Sequence, residues 1–222
     1  MAKEVWEGGA LLAPVPPCMV TCGQGENINV LTVAWTGIIN TKPPKTYISV
    51  RPSRHSYEII RQSGEFVINL TSEDLARAAD GCGVYTGAKV DKFQKYALKT
   101  EPAKAVSCPI LTDSPLSLEC RVTDVIPLGT HDMFLADIVS VDIDPSLLDE
   151  KGKLCLDRAR LVAYAHGDYY ALGKKIGSFG YSVKKRGKGT ATAKKKSPKV
   201  NAAGKDRIRE DRRTKKEKTN AT

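Results

Sequence analysis

Short apolar blocks, separated by glycine, proline and asparagine, run through the first 145 residues and predict strands joined by tight turns. CMVTCG, a turn at GQGEN and the run NVLTVAWTGIIN read as a hairpin, closed on its far side by the strand breaker KPPK. TYISVR follows as a strand. The spacing of Tyr57, Ile59 and Ile60 then predicts a short inward-facing helix that Gly64 stops. EFVINL reads as a nearly continuous apolar strand, and SEDLARAAD as a helix capped by Thr71 or Ser72. A glycine-rich loop is expected from Gly81 to Gly87, then a short helix in VDKFQKYAL. SLECRVTDVIPLG and DMFLADIVSVDID, separated by Gly129, read as a long antiparallel pair. The fold class is therefore mainly β with short helices. Periodicity alone does not choose between a barrel and a sandwich.

The most chemically informative stretch lies between Asn29 and Leu70. Pro52 removes a ladder donor and ends the strand TYISVR, which places Ser53 where a helix N-cap is expected, followed by Arg54, His55 and Ser56. Free backbone N–H groups, the positive end of the helix dipole and a guanidinium together favour a phosphate. On spacing alone, Ser53 equally serves as a plain cap and Arg54 as a solvated first-turn side chain. No GxGxxG follows a strand and no GxxxxGK[ST] occurs, so a Rossmann nicotinamide site is unsupported.

The pieces VLTVAWTGIIN, RPSRHSYEII, GEFVINL, CGVYTGAKVDKF, LSLECRV, THDMFLADIVSVDID and IGSFGYS occur in the order found in the flavin reductase-like FMN-binding proteins. The stretch from Pro14 to Tyr181 resembles that family, its flavoredoxin branch in particular. The resemblance implies a split β-barrel of Greek-key type that binds FMN and works as a homodimer. It also implies redox activity, either NAD(P)H-dependent flavin reduction, with NADH or NADPH as donor, or electron transfer through bound FMN to a redox protein partner.

A flavin needs a phosphate clamp, polar partners for the ring edge and a wall for the ring. Arg51, Ser53, Arg54 and Ser56 are the clamp candidates, and the resemblance adds Lys92 in VDKF. TVAWTG offers the ring edge its backbone groups through Thr32, Val33, Ala34, Trp35 and Thr36, plus two threonine hydroxyls. Trp35 is either the wall or a core or interface side chain. Asn69 is either a polar contact or a satisfied buried amide. His131 occupies a position that resembles the histidine near flavin and nicotinamide in related reductases, which makes it the catalytic candidate; by itself, a histidine in THDMF reads as a surface turn residue. His55 adds to the phosphate site, and His166 has no assigned role.

The net charge of +10 changes this picture only once it is located. Residues 184–222 carry 16 basic and four acidic side chains, which leaves 19 basic and 21 acidic on residues 1–183. The expected organisation is a split barrel over 1–183 and a disordered Lys/Arg-rich tail over 184–222 with a weak helix around KDRIREDRRTKKEK. The tail is either solvated or an electrostatic attachment segment. The latter gives the alternative function, a nucleic-acid or anionic-surface binding module without redox turnover. No aromatic residue follows Tyr181, so base stacking is unavailable and specific nucleic-acid binding is not expected. No basic start leads into an apolar run and no membrane-length apolar stretch occurs, so a cytoplasmic protein without a membrane span is expected. Six cysteines without a CxxC pair argue against a metal site and for free thiols. Cys18 and Cys22 should face the core from one side of a strand, and Cys82, in its glycine loop, is the thiol to test for reactivity.

Overall fold

The structure is a computed structural model that describes residues 2–183; the expectations for 184–222 lie outside the described residues. Cα packing separates a unit ending at Lys175 from one starting at Ile176. The first unit opens with strands β1 (Cys18–Cys22), β2 (Asn29–Val33), β3 (Thr36–Thr41) and β4 (Pro44–Val50), followed by α1 (His55–Ser63) and β5 (Glu65–Asn69). Then come α2 (Ala76–Val84), α3 (Lys92–Tyr96), the short β6 (Thr100–Glu101) and β7 (Ile110–Leu111), and the long pair β8 (Leu116–Pro127) and β9 (Asp132–Ile143). A hairpin of β10 (Val162–Ala165) and β11 (Asp168–Ala171) completes the unit.

Seven strands form one sheet in the order β2-β1-β5-β8-β9-β4-β3. Its two outer strands, β2 and β3, are consecutive in sequence and separated only by Ala34 and Trp35. So short a connection spans roughly 10 Å at most. The ends of the sheet must therefore meet, and the sheet curls into a barrel that is split where β2 hands over to β3. Two register shifts between β8 and β9, at Glu119/Cys120 and Val122/Asp124, supply the local bending that closure requires. The run NVLTVAWTGIIN is thus two strands rather than one, because the chain turns the barrel corner at Ala34 and Trp35.

Alternation puts Cys18, Val20 and Cys22 of β1 inside the barrel with Leu31, Ile48, Phe66 and Phe134, closed by Tyr57 and Ile60 of α1. Met19 and Val30 point outward, where Leu75, Ala79 and Cys82 of the α2 region cover them. A strap around residues 103–110 covers another part of the outer face, with Val106, Cys108 and Ile110 packed on Val67. Gly64 ends α1 at φ 66, its N–H donating to the Ile60 carbonyl at 2.9 Å.

Three local expectations are corrected. Ser53 is not the cap of α1: a turn closed by Arg54 N–H to the Arg51 carbonyl at 2.9 Å absorbs Pro52 and Ser53, and Arg54 becomes the N-cap residue. Thr71 and Ser72 do not open α2, which starts at Ala76, since Glu73 N–H donates to the Arg160 carbonyl and both acidic side chains of the SED segment pair with the Arg160 guanidinium. The helix instead runs on through Gly81, Cys82 and Gly83, in place of the expected loop. Cys82 is accordingly buried, and desolvation raises its thiol pKa to about 11, the opposite of an activated thiol. No described helix is long and apolar enough to cross a membrane, and all six cysteines are free.

Candidate flavin site at the split of the barrel

Two adjoining cavities open beside the split. The larger, about 430 Å³, is lined by Thr32, Val33, Ala34 and Trp35 as the chain leaves β2, and by Arg51, Arg54 and His131 on one side. Asp80, Gly83 and Val84 of α2 and Tyr164, Gly167 and Tyr169 of the last hairpin form the rest of its wall. Its volume is ordinary for a cofactor-sized ligand. The smaller, about 170 Å³, shares Thr32, Arg51, Arg54 and Gly83 with it and adds Asn29, Ser53, His55, Ser56, Thr86, Gly87 and Lys92. No carboxylate lines the smaller cavity.

The clamp candidates converge on that small cavity from three elements. Ser53 and Arg54 come from the turn before α1, Ser56 from its first turn, and Lys92 from the first residue of α3. No side chain caps the start of α1. Arg54 Nη1 donates to the Gly83 carbonyl at 3.0 Å, and Lys92 Nζ to the Cys82 carbonyl at 3.4 Å, so the last turn of α2 orients both cations. Lys92 is only 3% exposed yet makes no salt bridge among the described residues. Burial pushes its pKa down. A buried ammonium with two unused donors, facing a cavity with two guanidiniums and no acid, is a donor set suited to a phosphate. Ser56 is held by Asn29, whose Nδ2 donates to its Oγ at 2.6 Å. Gly87 keeps this corner open: a Cβ there would lie 2.4 Å from Asn29 Oδ1.

In the larger cavity Trp35 is 45% exposed, so the core reading of this side chain is overturned. Its ring stands edge-on to His131, with centroids 4.6 Å apart. Arg51 Nε donates to His131 Nε2 at 3.3 Å, which requires Nε2 to be unprotonated and leaves Nδ1–H to donate to Thr130 Oγ1 at 3.0 Å. Partial burial and the nearby Arg51 and Arg54 push the imidazole pKa down, so the ring is neutral at neutral pH. His131 is therefore no simple turn residue. Thr32 lines both cavities while its hydroxyl donates to the Ala79 carbonyl.

Two residues expected at the site do not belong to either cavity. Asn69 is fully buried, its Nδ2 donating to the Met19 carbonyl and Thr21 Oγ1, and its Oδ1 accepting from Leu111 N–H at 2.9 Å and Ser117 Oγ at 2.8 Å. It is the satisfied amide, not a flavin contact. Thr36 is also buried, donating to the Tyr47 carbonyl at 2.6 Å, and holds β3 to β4 instead of facing a ligand. Conversely, the last hairpin is an addition to the site that the sequence reading misses. His166 and Gly167, at φ 53 and φ 103, form a two-residue turn with both φ positive, and Tyr164 and Tyr169 pair across it with rings 5.2 Å apart. Its signal lies in VAYA-HG-DYYA, two apolar-aromatic runs around a turn dipeptide. Desolvation and the Asp80 carboxylate raise the Tyr169 phenol to about 12.

The same fold is found in known proteins. A solved flavoredoxin of Desulfovibrio vulgaris (Miyazaki F) superposes with a TM-score of 0.76 at 27% identity, covering 82% of this chain and all of that one. A split barrel domain protein of Shewanella frigidimarina gives 0.68 at 21%, covering 76% and 86%, which speaks to the fold alone. Among curated sequences, the NADPH-flavin oxidoreductase of Streptomyces viridifaciens is 28% identical over 127 residues, 57% of this chain and 65% of that protein. A model described as flavin reductase like domain matches residues 12–173, the whole of the barrel, both cavities and the closing hairpin. By that match this chain belongs to the flavin reductase-like family.

Proposed function

We propose that the chain is an FMN-binding oxidoreductase that takes electrons from a reduced nicotinamide through FMN held across the two cavities. The observation that carries this reading is the buried, carboxylate-free Lys92 beside Arg51 and Arg54, at the end of a cavity of cofactor size. Lys92, Arg54, Arg51, Ser53 and Ser56 would neutralise and hydrogen-bond the phosphate. The backbone from Thr32 to Trp35 would meet the ring edge, and Trp35 would wall the ring. FMN, when bound, supplies the hydride and electron chemistry. The neutral His131, fixed by Arg51 and Thr130, presents no competing positive charge and orients the donor over the exposed side of the cavity. The named relatives agree with a flavin redox role, as flavoredoxin and NADPH-flavin oxidoreductase.

The test is an absorption spectrum of the purified chain, followed anaerobically as NADH and then NADPH are added. A yellow protein bleached by either nicotinamide is expected. Yellow protein that stays oxidised until dithionite is added would make the chain an electron carrier served by a redox protein instead. Colourless protein that FMN cannot reconstitute would overturn the flavin reading. We further propose a homodimer, supported by edge strand β3, which exposes Ile38 and Ile39 next to the split. Light scattering coupled to size exclusion would read the mass directly.

A further inference from the structure

The phosphate clamp, the β2–β3 corner and His131 account for one side of the larger cavity. Its other side is built by Asp80 of α2 and by Tyr164, Gly167 and Tyr169 of the last hairpin, none of which lines the smaller cavity. Asp80 is the one carboxylate that lines either cavity, and it makes no salt bridge among the described residues. We propose that this wall is a subsite for a second substrate of the flavin site, an aromatic ring that carries a protonated amine, with the amine on Asp80 and the ring against the two tyrosines; this rests on the flavin reading above.

The layout of charge selects the sign of the ligand. Arg51 and Arg54 belong to the clamp end, where a phosphate would neutralise them. Asp80 then remains the unmatched charge of the larger cavity, and a carboxylate there attracts a cation and repels an anionic ring. Asp80 is exposed, so the attraction is moderate and needs the aromatic groups beside it. Tyr164 and Tyr169 supply them, standing edge to face with centroids 5.2 Å apart and offering electron-rich rings to a cation. Burial and the neighbouring Asp80 carboxylate push the Tyr169 phenol up to about 12, so it stays protonated and adds a donor instead of a second negative charge. Trp35 and Val84, both exposed, extend the same cavity with apolar surface for a ring. The wall is set before a ligand arrives. Tyr164 exchanges backbone hydrogen bonds with Val15 at 2.8 and 2.9 Å, which ties the hairpin to the segment before β1, and a preformed wall loses little entropy on binding.

The test uses the full chain loaded with FMN and titrated with three indoles of similar size and different charge: tryptamine, a cation at neutral pH, tryptophol, which is neutral, and indole-3-acetate, an anion. Binding is read by calorimetry and from the change in flavin absorption as an indole stacks on the ring. Tryptamine is expected to bind about tenfold tighter than tryptophol, with indole-3-acetate weaker still. Asp80→Asn should abolish that preference while changing the affinities for tryptophol and FMN less than about twofold, and Asp80→Ser should do the same, which guards against a local distortion in one variant. If no indole binds, if tryptamine is not preferred, or if its preference survives in either variant, the subsite proposal is overturned while the flavin reading stands. A tenfold loss of FMN affinity in the Asp80 variants would assign the carboxylate to the flavin ring itself and also overturn the subsite. If the chain binds no FMN, the flavin reading falls, and this one with it.

Discussion

Two buried charges on opposite sides of β1 and β5 invite comparison. Glu119 on β8 is fully buried, and its carboxylate accepts from three successive backbone N–H groups of the strap, Lys104 at 2.9 Å, Ala105 at 2.5 Å and Val106 at 3.0 Å. Lys92 on α3 is buried almost as deeply and holds one carbonyl at 3.4 Å. A buried charge that the fold itself satisfies is part of the fold, whereas one the fold leaves short of partners is stable only because its cavity admits water or a ligand. The same contrast separates Asn69, whose donors and acceptor are all used internally, from the clamp residues around the small cavity.

If that distinction is right, Glu119→Ala should give the largest effect, a loss of about 3 kcal/mol from three orphaned N–H groups. That corresponds to a Tm lower by roughly 6–12 °C in a chain of this size, with FMN affinity unchanged, by calorimetry. A parallel loss of FMN binding would show that the strap communicates with the site. Lys92→Met should do the reverse. FMN affinity should fall by about 30-fold or more, on the scale of a charge-assisted hydrogen bond of ~2 kcal/mol, while the flavin-free protein keeps or gains stability. A large drop in Tm without flavin would make Lys92 structural. Asn69→Leu should lower stability by about 2 kcal/mol and leave the flavin titration as it was.

The pH dependence sharpens the acidic half of the comparison. Burial pushes the Glu119 carboxyl up, but the strap N–H groups and Asp142 outweigh it and hold it below its ordinary range, so its contribution is present above that range and lost as pH falls through its lowered pKa. Asp142 moves the other way, raised by burial and by Glu119, and its buried Oδ2 has no donor partner. A proton held there bonds to Glu119, and that stability fades as pH rises through the raised Asp142 pKa. Asp142→Asn should keep the acid limb of a Tm-versus-pH curve and flatten the upper one. The smallest effect concerns the thiols: under native conditions a maleimide should label Cys155 alone, since the other five are buried, and labelling of Cys82 would contradict its place on α2.

Most of the proposed phosphate clamp is legible in the amino-acid sequence. Arg51, Ser53, Arg54 and Ser56 sit within six residues, and a proline-ended strand followed by a helix leaves little freedom in where they go. Lys92, 36 residues beyond Ser56, enters only through the family resemblance, because nothing in VDKF marks it as buried. Asn69 and Thr36 are misplaced by sequence reasoning for a related cause. A polar residue on a strand points to one of two faces, and the alternation of the segment does not say which face a strap or a neighbouring strand will cover. Cys82 is misread because glycines at 81 and 83 suggest a loop, while the packing of α2 on Met19 and Val30 carries the helix through them.

Local chemistry along the chain thus determined most of the barrel strands, the helix after Pro52, the stop at Gly64, and the clustering of Arg51, Ser53, Arg54 and Ser56. Closure of the sheet decided the rest. It is closure that brings the ends of the sheet together at Ala34 and Trp35 and exposes Trp35 beside His131, nearly a hundred residues away. It also sets the last turn of α2 against Arg54 and Lys92, and the final hairpin against the same cavity. Such juxtapositions depend on long-range pairing, which short-range propensity and periodicity do not encode.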